Sequence, residues 1–324
     1  MRLLVTGAGG FVGGHLLELV RRESPATSIH GVVQPHGSLA WTSAQGARVV
    51  EADLDDPTAA AAVIEEVRPE GIVHLAGQSS VHQSWLDPGG TLRTNVLGIV
   101  HLLDAARSIG LRPAVLVVGS AEEYGSVSEA ELPIRETAAL RPASPYAVSK
   151  VAQGALALLY GPAGGMRIVL TRTFHHTGPG RGEAFAESSF ARQIAEIESG
   201  LRPPVIEVGN LDAVRDFTDV RDVVRAYLLL LEKGEPGQAY NVCSGRGRPI
   251  REILDLLLAS SSARVEVRID KERLRTADVP AQVGDPSRLR AATSWEPRIP
   301  LEQTLADLLS DWRARVAGGV ARRP

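Results

Sequence analysis

The chain has 324 residues, more than one hydrophobic core usually serves, so a main domain with a second lobe is expected. Hydrophobic residues make up 44% and charged residues 23%, a balance that excludes a disordered chain. Its 35 basic and 38 acidic side chains are scattered, for a net charge of -3; without a basic stripe for nucleic acid or an anionic membrane, the expected partners are small molecules.

Short β-branched or leucine-rich runs at 3–6, 29–33, 48–50, 72–75, 114–118 and 168–171 alternate with amphipathic stretches of helical length. Strict alternation predicts an α/β fold: a doubly wound parallel (Rossmann) sheet covered on both faces. The opening residues carry no basic-then-apolar leader, and the longest apolar run, near 226–231, is too short for a bilayer. A cytoplasmic protein is therefore expected. The single cysteine, Cys243, excludes an internal disulfide and a cysteine-built metal site.

Directly after the first run comes Gly7-Ala8-Gly9-Gly10-Phe11-Val12-Gly13, which opens a helix. Glycines at Gly7, Gly10 and Gly13 permit a tight turn and close approach of the backbone to a pyrophosphate, whose charge meets helix amides. About twenty residues on, a carboxylate would bind the adenosine ribose of NAD, but this chain has Gln34. A neutral side chain there removes repulsion against a 2'-phosphate, so NADP is mildly favoured over NAD. Asp53 and Leu54, after the third run, are placed to meet the adenine, although Asp53 also suits a helix cap.

Further along, Ser120 follows the run at 114–118, where the carboxyl ends of parallel strands bind ligands. Its hydroxyl can hold a reacting oxygen, and Glu122 is a possible acid-base group. Ser144-Pro145 reads as a helix start, with Tyr146 and Lys150 four apart on one helical face. A neighbouring ammonium stabilises a phenolate and brings the Tyr146 phenol toward the working range, so Tyr146 can exchange a proton while hydride moves to or from a nicotinamide. That helix, expected at 144–160, is also apolar at Val151, Ala155, Leu158 and Leu159, which suits a homodimer seam as well as a core.

After residue 172 the rhythm breaks at glycine and proline clusters. A helix at 219–232 and a strand at 239–243 are predicted to return to the main sheet. The expected division is therefore a dinucleotide-binding domain at 1–171 with about 214–243, a substrate lobe at 172–213 and 244–317, and a frayed tail at 318–324.

With these motifs in place, the chain resembles the extended short-chain dehydrogenases that act on nucleotide sugars. The resemblance is carried by the residues above, by His74-Leu75-Ala76-Gly77-Gln78-Ser79-Ser80-Val81, by Asn95 with Gly98, and by Val208 to Ala213 with Arg215 to Val220. It implies that Ser120, Tyr146 and Lys150 are catalytic, with Asn95 supporting the lysine through water. Leu75, Ala76, Gln78, Phe174 and His176 would line the cofactor. Ser80, His175, Asn210, Arg215, Arg275 and Asp278 would hold the substrate, with the two arginines on its diphosphate. Within the family the chain resembles the branch that reduces the C4 keto group of a GDP-linked 6-deoxy sugar to give GDP-D-rhamnose. Dehydration of GDP-mannose and 4-epimerisation are the enzymatic alternatives, and a dinucleotide-sensing regulator the non-enzymatic one. In Arg172-Thr173-Phe174-His175-His176-Thr177-Gly178-Pro179, His175 stands where the family has asparagine, replacing a compact amide by an imidazole. Neither His175 nor His176 has companions at metal-ligand spacing, so no metal is expected.

Overall fold

The computed structural model of the chain describes residues 1–35, 46–270, 273 and 279–319. Seven strands form one parallel sheet: β1 (Arg2–Thr6), β2 (Ser28–Val33), β3 (Arg48–Glu51), β4 (Gly71–His74), β5 (Ala114–Ser120), β6 (Arg167–Thr173) and, from much later in the chain, β10 (Ala239–Val242). Their order is β10-β6-β5-β4-β1-β2-β3. Leu3, Leu4 and Val5 of β1 are wholly buried, as are all four residues of β4. Such strands are apolar without alternation because helices cover both faces.

On one face, α1 (Phe11–Glu23) places Leu16, Leu17 and Val20 in a cluster with residues from a later helix. On the other, α2 (Pro57–Val67) follows a cap in which the Asp56 carboxylate accepts from the Thr58 amide. Two short helices, α3 (Val81–Leu86) and α4 (Pro88–Leu92), lead through a π-helical turn at Arg93–Leu97 into α5 (Gly98–Ser108). The helix α6 (Pro145–Gly164) then packs beside α5, and Val63, Ile64, Leu102, Leu103 and Ala157 share this second cluster.

Beyond β6 the chain forms β7 (His175–Thr177), α7 (Ala186–Glu198), β8 (Val205–Val208), β9 (Val214–Asp219) and α8 (Val220–Lys233). The helix α8 returns to the first face, where its Val223, Tyr227 and Leu230 meet α1. After β10 come β11 (Gly247–Pro249), α9 (Ile250–Ala259), β12 (Glu266–Ile269), β13 (Ala281–Gln282), α10 (Ser287–Thr293) and α11 (Leu301–Ala317). A third apolar cluster joins Phe190 and Ile194 of α7 to Ile253 and Leu257 of α9 and to Leu308 and Trp312 of α11. The strand β9 lies between β11 and β13 and also pairs with β7, while β8 pairs with β12.

Two strand ends shift from expectation by more than one residue. The strands β5 and β6 both run two residues past their predicted limits of 118 and 171, because Gly119 pairs with Arg172 and Ser120 with Thr173 in a continuing parallel ladder. This carries Ser120 onto the strand end itself. The helix expected to stop at 160 continues to Gly164 and ends at Gly165, whose left-handed φ of 65° a glycine adopts without strain. Arg275, Asp278 and residues 320–324 of the expected tail lie outside the described residues.

Candidate active site

A cleft of about 780 Å³ opens at the carboxyl ends of β1, β2, β4 and β5. Gly7, Gly10, Phe11, Val12 and Gly13 form one end of its wall. A Cβ on Gly13 would lie 2.4 Å from the Gly7 carbonyl, and one on Gly7 2.9 Å from the Ala76 amide, so the turn closes only with glycine at both positions. Gly10 caps α1 without a side chain, which leaves the first amides of this 13-residue helix directed toward the cleft. Gln34, Asp53 and Leu54 line the same end, and Leu75, Ala76, Gln78 and Ser80 continue the wall from β4. A glycine cradle at a helix start suits a dinucleotide pyrophosphate, so these residues fit the cofactor that the sequence implies.

At the other end, Ser120, Glu122, Tyr146 and Lys150 line the cleft together. Ser120 closes β5 and caps a 3₁₀ turn at Ala121–Tyr124: its hydroxyl accepts from the Glu122 amide at 3.2 Å, and its own amide donates to Glu123 Oε1 at 2.9 Å. Tyr146 and Lys150 follow from the Ser144 cap, whose hydroxyl accepts from the Ala147 amide, with Pro145 in the first turn.

In the resting site the Tyr146 phenol is not lowered toward the working range. Lys150 Nζ donates to the Val118 carbonyl at 3.0 Å and to Gln153 Oε1 at 2.9 Å. Burial pushes its pKa down to about 8, against a smaller opposing effect of Glu123. Burial pushes Tyr146 up to about 12; the Ser120 hydroxyl opposes this, while Glu122 and Glu123 add to it. The resting phenol is therefore protonated. Asn95 is enclosed beneath the site, donating to Ser149 Oγ at 2.8 Å and to the Gln78 carbonyl at 3.1 Å, so both its amide hydrogens are engaged within the protein.

Phe174, His175 and His176 line the cleft from the β6–β7 connection. The His176 ring is stacked on Phe11, 6.1 Å between centroids, and His175 is tilted against Phe217. Burial, with the charge of Arg181, pushes His176 down to about 4, which leaves a neutral ring. Asn210 and Arg215 are not in the cleft wall. Asn210 Oδ1 accepts from the Asp212 amide, and Arg215, buried on β9, donates from Nη1 to the Val214 carbonyl.

Several wall residues escaped the sequence reading. Arg181 stands 3.3 Å over the Phe185 ring and 5.1 Å over that of Phe11, with Nε 3.5 Å from Glu187 Oε1. Thr173, Tyr227 and Gln282 also line the cleft, and the Tyr227 and Thr173 hydroxyls are 2.7 Å apart. Only the loop Gly180-Arg181-Gly182 after Pro179 could have pointed to Arg181; the others come from strands and a helix with no local motif.

A parallel sheet with a glycine turn at its carboxyl edge, facing a serine, a tyrosine and a lysine across one cleft, defines an extended short-chain dehydrogenase of the nucleotide-sugar type. The chain belongs to the GDP-mannose 4,6 dehydratase family, whose model matches residues 4–308. It is 40% identical over 315 residues to GDP-6-deoxy-D-mannose reductase of Pseudomonas aeruginosa, covering 97% of this chain and 98% of that one. A solved structure, RMD from Pseudomonas aeruginosa complexed with NADPH, is 39% identical with a TM-score of 0.86, covering 97% of this chain and 99% of that one. GDP-mannose 4,6 dehydratase 2 of Arabidopsis thaliana is 29% identical over 328 residues, covering 95% of this chain and 86% of its own.

Proposed function

We propose that this protein reduces the C4 keto group of a GDP-linked 4-keto-6-deoxy-mannose to give GDP-D-rhamnose, with NADPH as the reductant. The observation that carries the reading is the 40% identity to a GDP-6-deoxy-D-mannose reductase along nearly the whole chain. The cofactor, when bound, supplies a hydride to the carbonyl carbon. Tyr146 gives its phenolic proton to the carbonyl oxygen, so the products are a carbinol and a phenolate. Ser120 holds that oxygen by its hydroxyl, and the Lys150 ammonium stabilises the phenolate until solvent returns the proton. A phenol kept protonated by burial suits this direction, because reduction begins with the acid form.

NADPH is preferred in this reading because Gln34 puts no carboxylate at the end of β2, and the Pseudomonas aeruginosa structure was solved with NADPH. The arginines Arg215 and Arg275, with Asp278 and Asn210, are proposed to hold the nucleotide, and Ser80 and His175 the sugar. A homodimer is proposed through α6, where Leu159 of the expected seam is exposed together with Val148 and Leu156, whereas Leu158 packs against the second apolar cluster and Val151 is half-buried.

A second reading, 4,6-dehydration of GDP-mannose, draws on Glu122, which lines the cleft beside Ser120 and could move a carbon-bound proton. Incubation with each nucleotide sugar separates the two. Reduction consumes one NADPH per 4-keto sugar and leaves GDP-mannose untouched. Turnover of GDP-mannose with no net NADPH loss would install the dehydratase instead.

A further inference from the structure

We infer that Gln153 is a positioning residue of the proton-transfer site, whose side-chain carbonyl holds the Lys150 ammonium at the end of β5, one helical turn from Tyr146. The inference rests on the reading of Tyr146 and Lys150 as the pair that completes a reduction. Gln153 lies on α6 three residues after Lys150 and has no exposed surface. Lys150 Nζ donates to its Oε1 at 2.9 Å and to the carbonyl of Val118, two residues before Ser120, at 3.0 Å. These are the acceptors of the ammonium among the described residues; the Asn95 side chain is engaged with Ser149 and Gln78. An ammonium has three hydrogens, so two are fixed within the protein and one is left for the phenolate or a cofactor. A Cβ on Gly77 of the cleft wall would lie 3.6 Å from Nζ, so the ammonium lies against bare backbone there.

The orientation of the Gln153 amide is dictated by its partner. An ammonium can only donate, so the oxygen must face it and the amide nitrogen is turned away. Nε2 is buried and has no hydrogen-bond partner. A buried donor without an acceptor destabilises a fold, so packing alone would favour an apolar side chain of the same volume at this place. Gln153 therefore contributes as an acceptor for Lys150 rather than as filler between α6 and the sheet. An acceptor within hydrogen-bond reach favours the charged lysine and opposes the burial that drives its proton off. Of the titratable groups around the ammonium, Glu123 acts in the same sense, His74 of β4 is a neutral ring held down to about 3 by burial, and Tyr146 is protonated. Gln153 is thus the neutral acceptor that, with Glu123, keeps Lys150 charged when the phenolate forms.

The chain has three lysines, Lys150, Lys233 and Lys271, so the proton on Lys150 can be followed directly. The test is an NMR titration of the NADP-loaded full chain carrying isotope-labelled lysine, with the Lys150 signal assigned by its loss in Lys150→Met. In Gln153→Met, which keeps the volume and removes the acceptor, the Lys150 midpoint falls by about one pH unit or more, the tenfold that one hydrogen bond to a charged group is worth. In Gln153→Glu, whose carboxylate is ionised by the adjacent ammonium, the midpoint rises by about one pH unit or more. The alkaline limb of kcat/KM for the 4-keto sugar moves with the midpoint in both variants. A change that merely loosened α6 would not shift the two variants in opposite directions. The inference is overturned if the midpoint fails to fall in Gln153→Met or fails to rise in Gln153→Glu, and either variant decides alone if the other does not fold. A limb that stays while the midpoint moves also overturns it. A crystal structure of the unchanged NADP-loaded protein with Gln153 Oε1 out of hydrogen-bond reach of Nζ does so without any variant. The titration needs no substrate, so failure of the reductase reading is visible separately, as no NADPH oxidation with the 4-keto sugar.

Discussion

Burial acts in opposite senses on the two titratable groups at the cleft floor, holding Tyr146 in its protonated form and weakening the hold of Lys150 on its proton. If Tyr146 delivers the proton, Tyr146→Phe lowers kcat by about 10²–10⁴-fold, the range of general acid catalysis, with KM within a factor of about two. Steady-state kinetics measures both, and an unchanged kcat would remove the phenol from the reaction. Lys150 sets the pH dependence. Its folded pKa, about 8, lies below the ordinary 10.5, so between these values the unfolded chain binds a proton that the folded protein does not. The cost of burying the ammonium is therefore present below about pH 8 and is relieved as pH rises toward 10.5, so this group alone makes the fold more stable with rising pH. Activity moves the other way. Loss of the charge that steadies the phenolate makes kcat/KM fall above about pH 8, as a pH-rate profile of the enzyme will show.

At the scale of elements, the end of β5 depends on a buried ion pair behind it. Glu123 accepts from the Ser120 amide through Oε1 and from Arg172 Nε of β6 through Oε2 at 3.1 Å, while Arg172 Nη1 also donates to the Tyr124 hydroxyl and the Glu136 carbonyl. Removing one partner leaves an uncompensated buried charge. Arg172→Met should cost about 3–5 kcal/mol in urea unfolding, whereas the double change Glu123→Leu with Arg172→Leu should recover most of that loss. Equal losses in both would show that the pair's charge is not what matters. This network was illegible in the sequence, where Glu123 and Arg172 are 49 residues apart and sit in no shared motif. What was legible had local causes. The glycine turn needs three glycines at fixed spacing, the start of α6 needs Ser144 and Pro145, and buried parallel strands need unbroken apolar runs. The extension of β5 to Ser120 follows from pairing with β6 and has no local signal, and Gln282 and Arg181 have none because only folding brings them into the cleft that Tyr146 lines.

For the whole molecule, the seven-stranded sheet and its two helical layers hold one wall of the cleft, and β7, the α7 approach and β13 hold the other. Leu159 of α6 is 64% exposed, close to the exposed Val148 and Leu156 along the same helix. If this face is the seam between two copies, Leu159→Glu should give a monomer by light scattering while the wild type is a dimer; a monomeric wild type would dismiss the seam. Among the described residues no helix is long and apolar enough to cross a membrane. The most direct test of the proposed reaction follows hydrogen itself. NADPH deuterated at the transferring position of the nicotinamide, incubated with the protein and GDP-4-keto-6-deoxy-mannose, should place one deuterium at C4 of the product hexose and none at C5 or C6, as read by NMR. A product without deuterium at C4, or label that remains on the cofactor with the 4-keto sugar unconsumed, would contradict it.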